Sequence, residues 1–190
     1  SRQTSPAPSA PREKPSREGG YEIFRNCKLA EDRTNDGDSF RIQLPDGRRE
    51  VFRLYYVDTP ESAFKSYANG ENNHDRIRDQ ANYFHISPDQ AVEIGAQGKK
   101  FTLSLLASSP FTIYTRWDDP FGDSRYHAFI LVRSGGKQRW LHELLVEKGL
   151  ARMKTKPAEL PDGTSVDEHR RQLTTLQNEA KRSKAGGWRN

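Results

Sequence analysis

Two short segments combine the residue types that phosphodiester chemistry needs. Asp36-Gly37-Asp38-Ser39-Phe40 and Arg53-Leu54-Tyr55-Tyr56-Val57-Asp58-Thr59-Pro60-Glu61 put carboxylates and a guanidinium at the ends of two apolar runs that read as adjacent strands. Hard oxygen ligands can hold a cation, and a guanidinium can hold the phosphate which that cation polarises. Taken singly, each piece has an ordinary reading. Asp36-Gly37-Asp38 is a good turn, Asp58 or Thr59 a good cap, and Arg53 a surface strand residue with an ion-pair partner. Their co-occurrence is what argues for a site. An EF-hand starting at Asp32 is excluded, because its twelfth position is Gln43 where a bidentate glutamate is needed.

Positioning these groups falls to short strands. A first strand is expected at about 21–30 and a second at 39–44, where Phe40, Ile42 and Leu44 alternate with Ser39, Arg41 and Gln43. Pro45-Asp46-Gly47 signals a turn into a third strand at about 50–57. Residues 64–73 read as an exposed loop, and a short helix is compatible with 75–84. Ser87-Pro88-Asp89-Gln90 opens a helix whose face is Ala91, Ile94, Gly98, Phe101 and Leu105. Gly95 and Gly98 weaken that helix unless something packs closely on them. Strands at about 110–117 and 126–133 flank the loop 118–125. A short helix carries Leu141, Leu144 and Leu145, and a last one starts at Ser165-Val166-Asp167-Glu168 with His169, Leu173, Leu176 and Ala180 on its face. The order predicts an α+β, mainly β-barrel chain: a five-stranded barrel of the oligonucleotide-binding (OB) type with three flanking helices.

The 190 residues are enough for one domain plus a tail. Residues 1–20 hold Pro, Ser, Arg, Glu and Gly with no aliphatic beyond alanine, and read as a disordered linker ahead of a domain at 21–190. The net charge of +5 suits a polyanionic partner. One cysteine, Cys27, excludes an internal disulfide and a multi-cysteine zinc site, and is expected to be a buried strand thiol. His74, His85, His127, His142 and His169 show no metal-ligand spacing and read as structural or solvated. Trp117, Trp140 and Trp188 read as packing residues. No window approaches the ~20 apolar residues of a membrane span.

Further pieces extend the first two: Phe121-Gly122 with Arg125, Ala128-Phe129, Leu144-Leu145-Val146 running to Gly149-Leu150-Ala151, Glu179-Ala180-Lys181 and Gly187-Trp188. In this order, over roughly 21–190, the chain resembles the staphylococcal (thermonuclease-type) nuclease family. The resemblance implies a calcium-dependent nuclease that hydrolyses DNA and RNA between phosphorus and the 5′ oxygen, leaving 3′-phosphates. It implies calcium on the Asp38 and Asp58 carboxylates and the Thr59 carbonyl, Glu61 orienting or deprotonating the attacking water, and Arg53 and Arg125 on the scissile phosphate. It further implies single-stranded or breathing substrates, a monomer, and secretion or a place in the cell envelope.

Departures from the family pattern mark where the site should differ. Gly122-Asp123-Ser124-Arg125 carries two extra residues, so Asp123 could compete for the guanidinium. Arg152-Met153-Lys154-Thr155-Lys156-Pro157 lacks the two tyrosines the family's prototype places there, so nucleotide recognition must change. The segment 62–90 is longer than the prototype's. Two rivals stay open: a catalytically inactive OB-fold module that binds nucleic acid or protein, and a nuclease preferring manganese or magnesium.

Overall fold

The computed structural model describes residues 16–190. Among the described residues, nine strands and four helices follow one another. They are β1 (Ser16–Glu18), β2 (Tyr21–Leu29), β3 (Ser39–Gln43), β4 (Arg49–Leu54), β5 (Val57–Asp58), α1 (His74–Phe84), α2 (Pro88–Ser108), β6 (Phe111–Thr115), β7 (Arg125–Ser134), β8 (Lys137–Trp140), α3 (Leu141–Glu147), β9 (Arg152–Met153) and α4 (Val166–Arg182).

Five strands close on themselves in the order β2-β3-β4-β7-β6-β2. All neighbours are antiparallel except β4 and β7, which pair in parallel. This is the expected OB-type barrel, and closure leaves its five strands without a free edge. Alternation decides what fills it. In β3 the buried side chains are Phe40 and Ile42, and in β4 Phe52 and Leu54. The Tyr21, Tyr55 and Phe129 rings meet inside, with Tyr55 and Phe129 centroids 4.7 Å apart.

Several details depart from the sequence reading. Four helices flank the barrel rather than three, because 74–84 forms a full helix whose Ile77, Ala81 and Phe84 are buried. The register of β2 against β6 shifts between Phe24 and Cys27, an irregularity that buries Phe24 together with its neighbour Ile23. Cys27 is the buried thiol expected, donating to the Phe24 carbonyl at 3.2 Å, and burial pushes its pKa up to about 12. On α2 the buried face runs through Gly98, Thr102 and Leu106, with Phe101 and Leu105 only partly covered. Thr102 can be buried because its hydroxyl donates to the Gly37 carbonyl at 2.7 Å. Of the stretch read as a linker, residues 1–15 lie outside the described residues, while Ser16–Glu18 pairs along the β2 edge.

β8 was missed, although Gly135-Gly136 with positive φ at both residues is the two-residue hairpin signal that could have found it. The capping box at Ser87 forms in full. Among the described residues, no helix is long and apolar enough to cross a membrane.

Candidate active site

One cleft on the barrel is lined by Asp36, Asp38, Arg53, Asp58, Thr59, Glu61 and Arg125, so every residue singled out from sequence reaches the same place. Different elements deliver them. The loop before β3 carries Asp38, whose carbonyl accepts from the Leu54 amide at 3.0 Å. Its carboxylate Oδ2 accepts from the Thr59 amide at 2.9 Å. Asp36 folds back to accept from the Gly37 amide at 2.8 Å, which makes it the holder of the turn. Arg53 is the last residue but one of β4, beside Ser39 of β3 and His127 of β7.

α2 explains how the Thr59-Pro60-Glu61 segment is held. A Cβ on Gly95 would lie 2.2 Å from the Glu61 carbonyl oxygen and 2.5 Å from that of Pro60. The two glycines that looked like helix weaknesses are thus the surface on which the acidic segment rests. The Glu61 amide also donates to the buried Gln80 side chain on α1 at 2.9 Å.

Asp58, Glu61, Arg53 and Arg125 each already have a counter-charge. Arg152 grips Asp58 as a fork, Nε to Oδ1 at 2.7 Å and a terminal nitrogen to Oδ2 at 3.0 Å, with both side chains under a tenth exposed. The β5–β9 pair creates this contact, since Asp58 and Arg152 stand opposite each other. Arg76 of α1 lies 3.1 Å from the Glu61 carboxylate. Asp123 is loosely shared between the two phosphate candidates, 3.6 Å from Arg53 and 3.9 Å from Arg125. The competition expected from the 118–125 loop is therefore real, but long and solvent-exposed.

A family model described as staphylococcal nuclease homologue matches residues 51–190. The chain belongs to that family. In this staphylococcal nuclease homologue the match includes Arg53, Asp58, Thr59, Glu61 and Arg125, while Asp36 and Asp38 precede it. Comparison with curated proteins finds no match.

In the homologue's cleft the two aspartates before β3 are held toward their neutral forms. Burial first, and then the Asp36 and Asp58 carboxylates, push the Asp38 carboxyl up to about 7. Burial likewise raises Asp36. The donor set is all hard oxygen: two carboxylates with spare lone pairs and the adjoining Thr59 carbonyl. It fits calcium or another hard divalent ion, and gives no soft donor for zinc or copper.

A second grouping lies away from the cleft. His142, Glu143 and His169 bring three ligand atoms within 4.8 Å of one another, a juxtaposition that linear spacing did not reveal. The two imidazoles are already bonded, Nε2 to Nε2 at 2.7 Å, and His169 Nδ1 reaches the Gln172 side-chain oxygen at 2.7 Å. With Nδ1–H assigned as donor to Gln172, His169 Nε2 must accept from His142. Tyr56 packs on both rings, at 5.7 and 4.9 Å. The pair is a buried contact between α3 and α4 in which His142 Nδ1 has no hydrogen-bond partner.

Sequence reasoning missed Arg152, Arg76 and Tyr67, the last of which lines the cleft wall. Arg152 follows directly on the Gly149-Leu150-Ala151 motif, which was the available signal.

Proposed function

We propose that the chain is a calcium-dependent nuclease hydrolysing phosphodiester bonds of DNA and RNA, cutting between phosphorus and the 5′ oxygen. The observation that carries this reading is the single cleft in which Asp38, Asp58 and Glu61 face Arg53 and Arg125. Calcium bound by Asp38, Asp58 and the Thr59 carbonyl would neutralise the acids and polarise the scissile phosphate. Its charge would also favour the ionised form of Asp38, which burial and neighbouring acids now disfavour.

Glu61 then orients a water and takes its proton as the water oxygen bonds to phosphorus. The bond from phosphorus to the 5′ oxygen breaks, and that oxygen takes a proton from solvent, because an arginine does not give one up. The products are a 3′-phosphate and a 5′-hydroxyl. Arg53 and Arg125 exchange the distant Asp123 for the phosphoryl oxygens, with contacts that strengthen as charge builds there.

The rival is a module that binds nucleic acid without cutting it. The internal partners of Glu61, Arg53 and Arg125 are the observation in its favour. End-group analysis of a digested oligonucleotide separates the two. The nuclease reading expects 3′-phosphate and 5′-hydroxyl ends, formed at least about a hundredfold more slowly by Glu61→Gln. Oligonucleotide that is bound but left whole by the unsubstituted chain supports the module.

A further inference from the structure

The segment between Glu61 and α1 supplies cleft-wall residues that the chemistry above does not use. It is a miniature hairpin rather than a loose loop. Tyr67 N donates to the Glu71 carbonyl at 2.7 Å, Gly70 N to the Tyr67 carbonyl at 3.0 Å, and Ser66 bridges to Asn72. The buried Asn73 side chain pins its base, accepting from Lys65 N at 2.8 Å and donating to the Ala63 carbonyl at 3.0 Å.

This fixed backbone holds two large rings in solvent, Phe64 at 45% and Tyr67 at 50% exposure. Phe64 has a partner, meeting His74 edge-on at 5.4 Å. Among the described residues no other ring stacks on Tyr67. Tyr67 and Lys65 nonetheless line the same cleft as Asp38, Glu61, Arg53 and Arg125, with Arg33, Arg76 and Lys99 on the wall. An aromatic face held open on a rigid support gains apolar burial only when a ligand covers it. The surrounding cations select an anionic ligand, and a polyanion that also carries flat aromatic groups is nucleic acid.

We propose that Tyr67 is the stacking platform for an unpaired base of a DNA or RNA strand in the cleft, with Lys65 on a neighbouring backbone phosphate. The proposal deepens the reading above and rests on its claim that a strand occupies this cleft. Bases inside a duplex have both faces covered by their neighbours, so a platform at this position favours single-stranded substrate. It also gives base recognition a location in a chain whose residues 152–157, directly after Gly149-Leu150-Ala151, hold no aromatic side chain.

The test measures binding of a fluorescein-labelled oligothymidylate to the full chain carrying Glu61→Gln, in calcium, so that the strand stays intact. Tyr67→Ala is expected to raise Kd about tenfold, the size of one base–aromatic stack, and Tyr67→Trp to keep it within about twofold. On an abasic strand of equal length, Tyr67→Ala should change nothing, whereas Lys65→Ala should weaken both strands alike. An unchanged Kd for Tyr67→Ala on oligothymidylate, the same loss on the abasic strand, or no binding to either strand would overturn the platform. Tyr67-dependent binding by a chain that never cleaves supports the platform while refuting the nuclease. Cleavage without any Tyr67 effect does the reverse.

Discussion

At the scale of single residues, the site works by the balance of neighbouring charges. Asp123 holds Arg53 and Arg125 at distances too long for good hydrogen bonds, so phosphate displaces it easily. Asp123→Asn is therefore expected to lower KM for single-stranded DNA with kcat held within about threefold, as in removal of a competing ligand. Arg125→Ala should reduce kcat by about a hundredfold or more, since its contact strengthens as the phosphoryl charge grows. Steady-state kinetics on one oligonucleotide read both, and a KM effect alone for Arg125→Ala would place that residue outside the transition state. Arg152 acts differently. It leaves Asp58 a neutralised partner in a dry setting, so Arg152→Met strands a buried carboxylate and should cost about 3–5 kcal/mol of stability. Asp58→Asn in the same chain should recover much of it in urea unfolding, because the uncompensated charge is gone.

At the scale of elements, the acidic segment is shaped by what it leans on. Gly95→Ala would drive a methyl to within 2.2 Å of the Glu61 carbonyl oxygen, whereas at Gly98 the nearest atom is the Thr59 methyl at 3.3 Å. Gly95→Ala is expected to lower both the melting temperature and kcat, and Gly98→Ala to do much less of either. Equal, small effects would mean that α2 does not set the position of Glu61. The elements themselves were largely legible, because alternation in β3 and β4 and the capping box at Ser87 are local signals. The five-stranded barrel followed from strand count and the interposed helix. What stayed hidden was non-local. β5 and β9 are two residues each, too short for any periodicity, yet their pairing sets Arg152 on Asp58 across 94 positions in sequence. The role of Gly95 and Gly98 was visible only as a question, answered by the backbone they touch. The exposed face of Tyr67 could not be told from an ordinary loop residue without the hairpin that holds it.

At the scale of the whole molecule, buried histidines tie the fold to pH. Burial, reinforced by Arg53, lowers the His127 pKa from 6.5 to about 4, and burial beside His169 puts His142 well below its ordinary value. Between those values the unfolded chain binds protons that the folded chain refuses, so stability rises with pH. This contribution is complete above about pH 6.5 and is lost as pH falls through about 4 for His127. Asp38 opposes it: protonated in the fold up to about pH 7, it makes stability fall as pH rises from the ordinary carboxylate range. Melting temperature followed from pH 4 to 8 isolates the histidine's share by comparison: relative to the unsubstituted chain, His127→Phe should gain melting temperature as pH is lowered. An unchanged acid slope in His127→Phe would show that this ring is not what the acid attacks.

The central claim is that the acids and arginines of one cleft cut nucleic acid with the help of a hard cation. Its most direct test is degradation of single-stranded DNA by the full chain, followed against calcium concentration, with chelator, with magnesium or manganese in place of calcium, and with Asp38→Ala. The account predicts cleavage that saturates with calcium, stops in chelator and falls sharply in Asp38→Ala at the same calcium. Cleavage indifferent to chelator, or strand bound but uncut with all three ions, would contradict it.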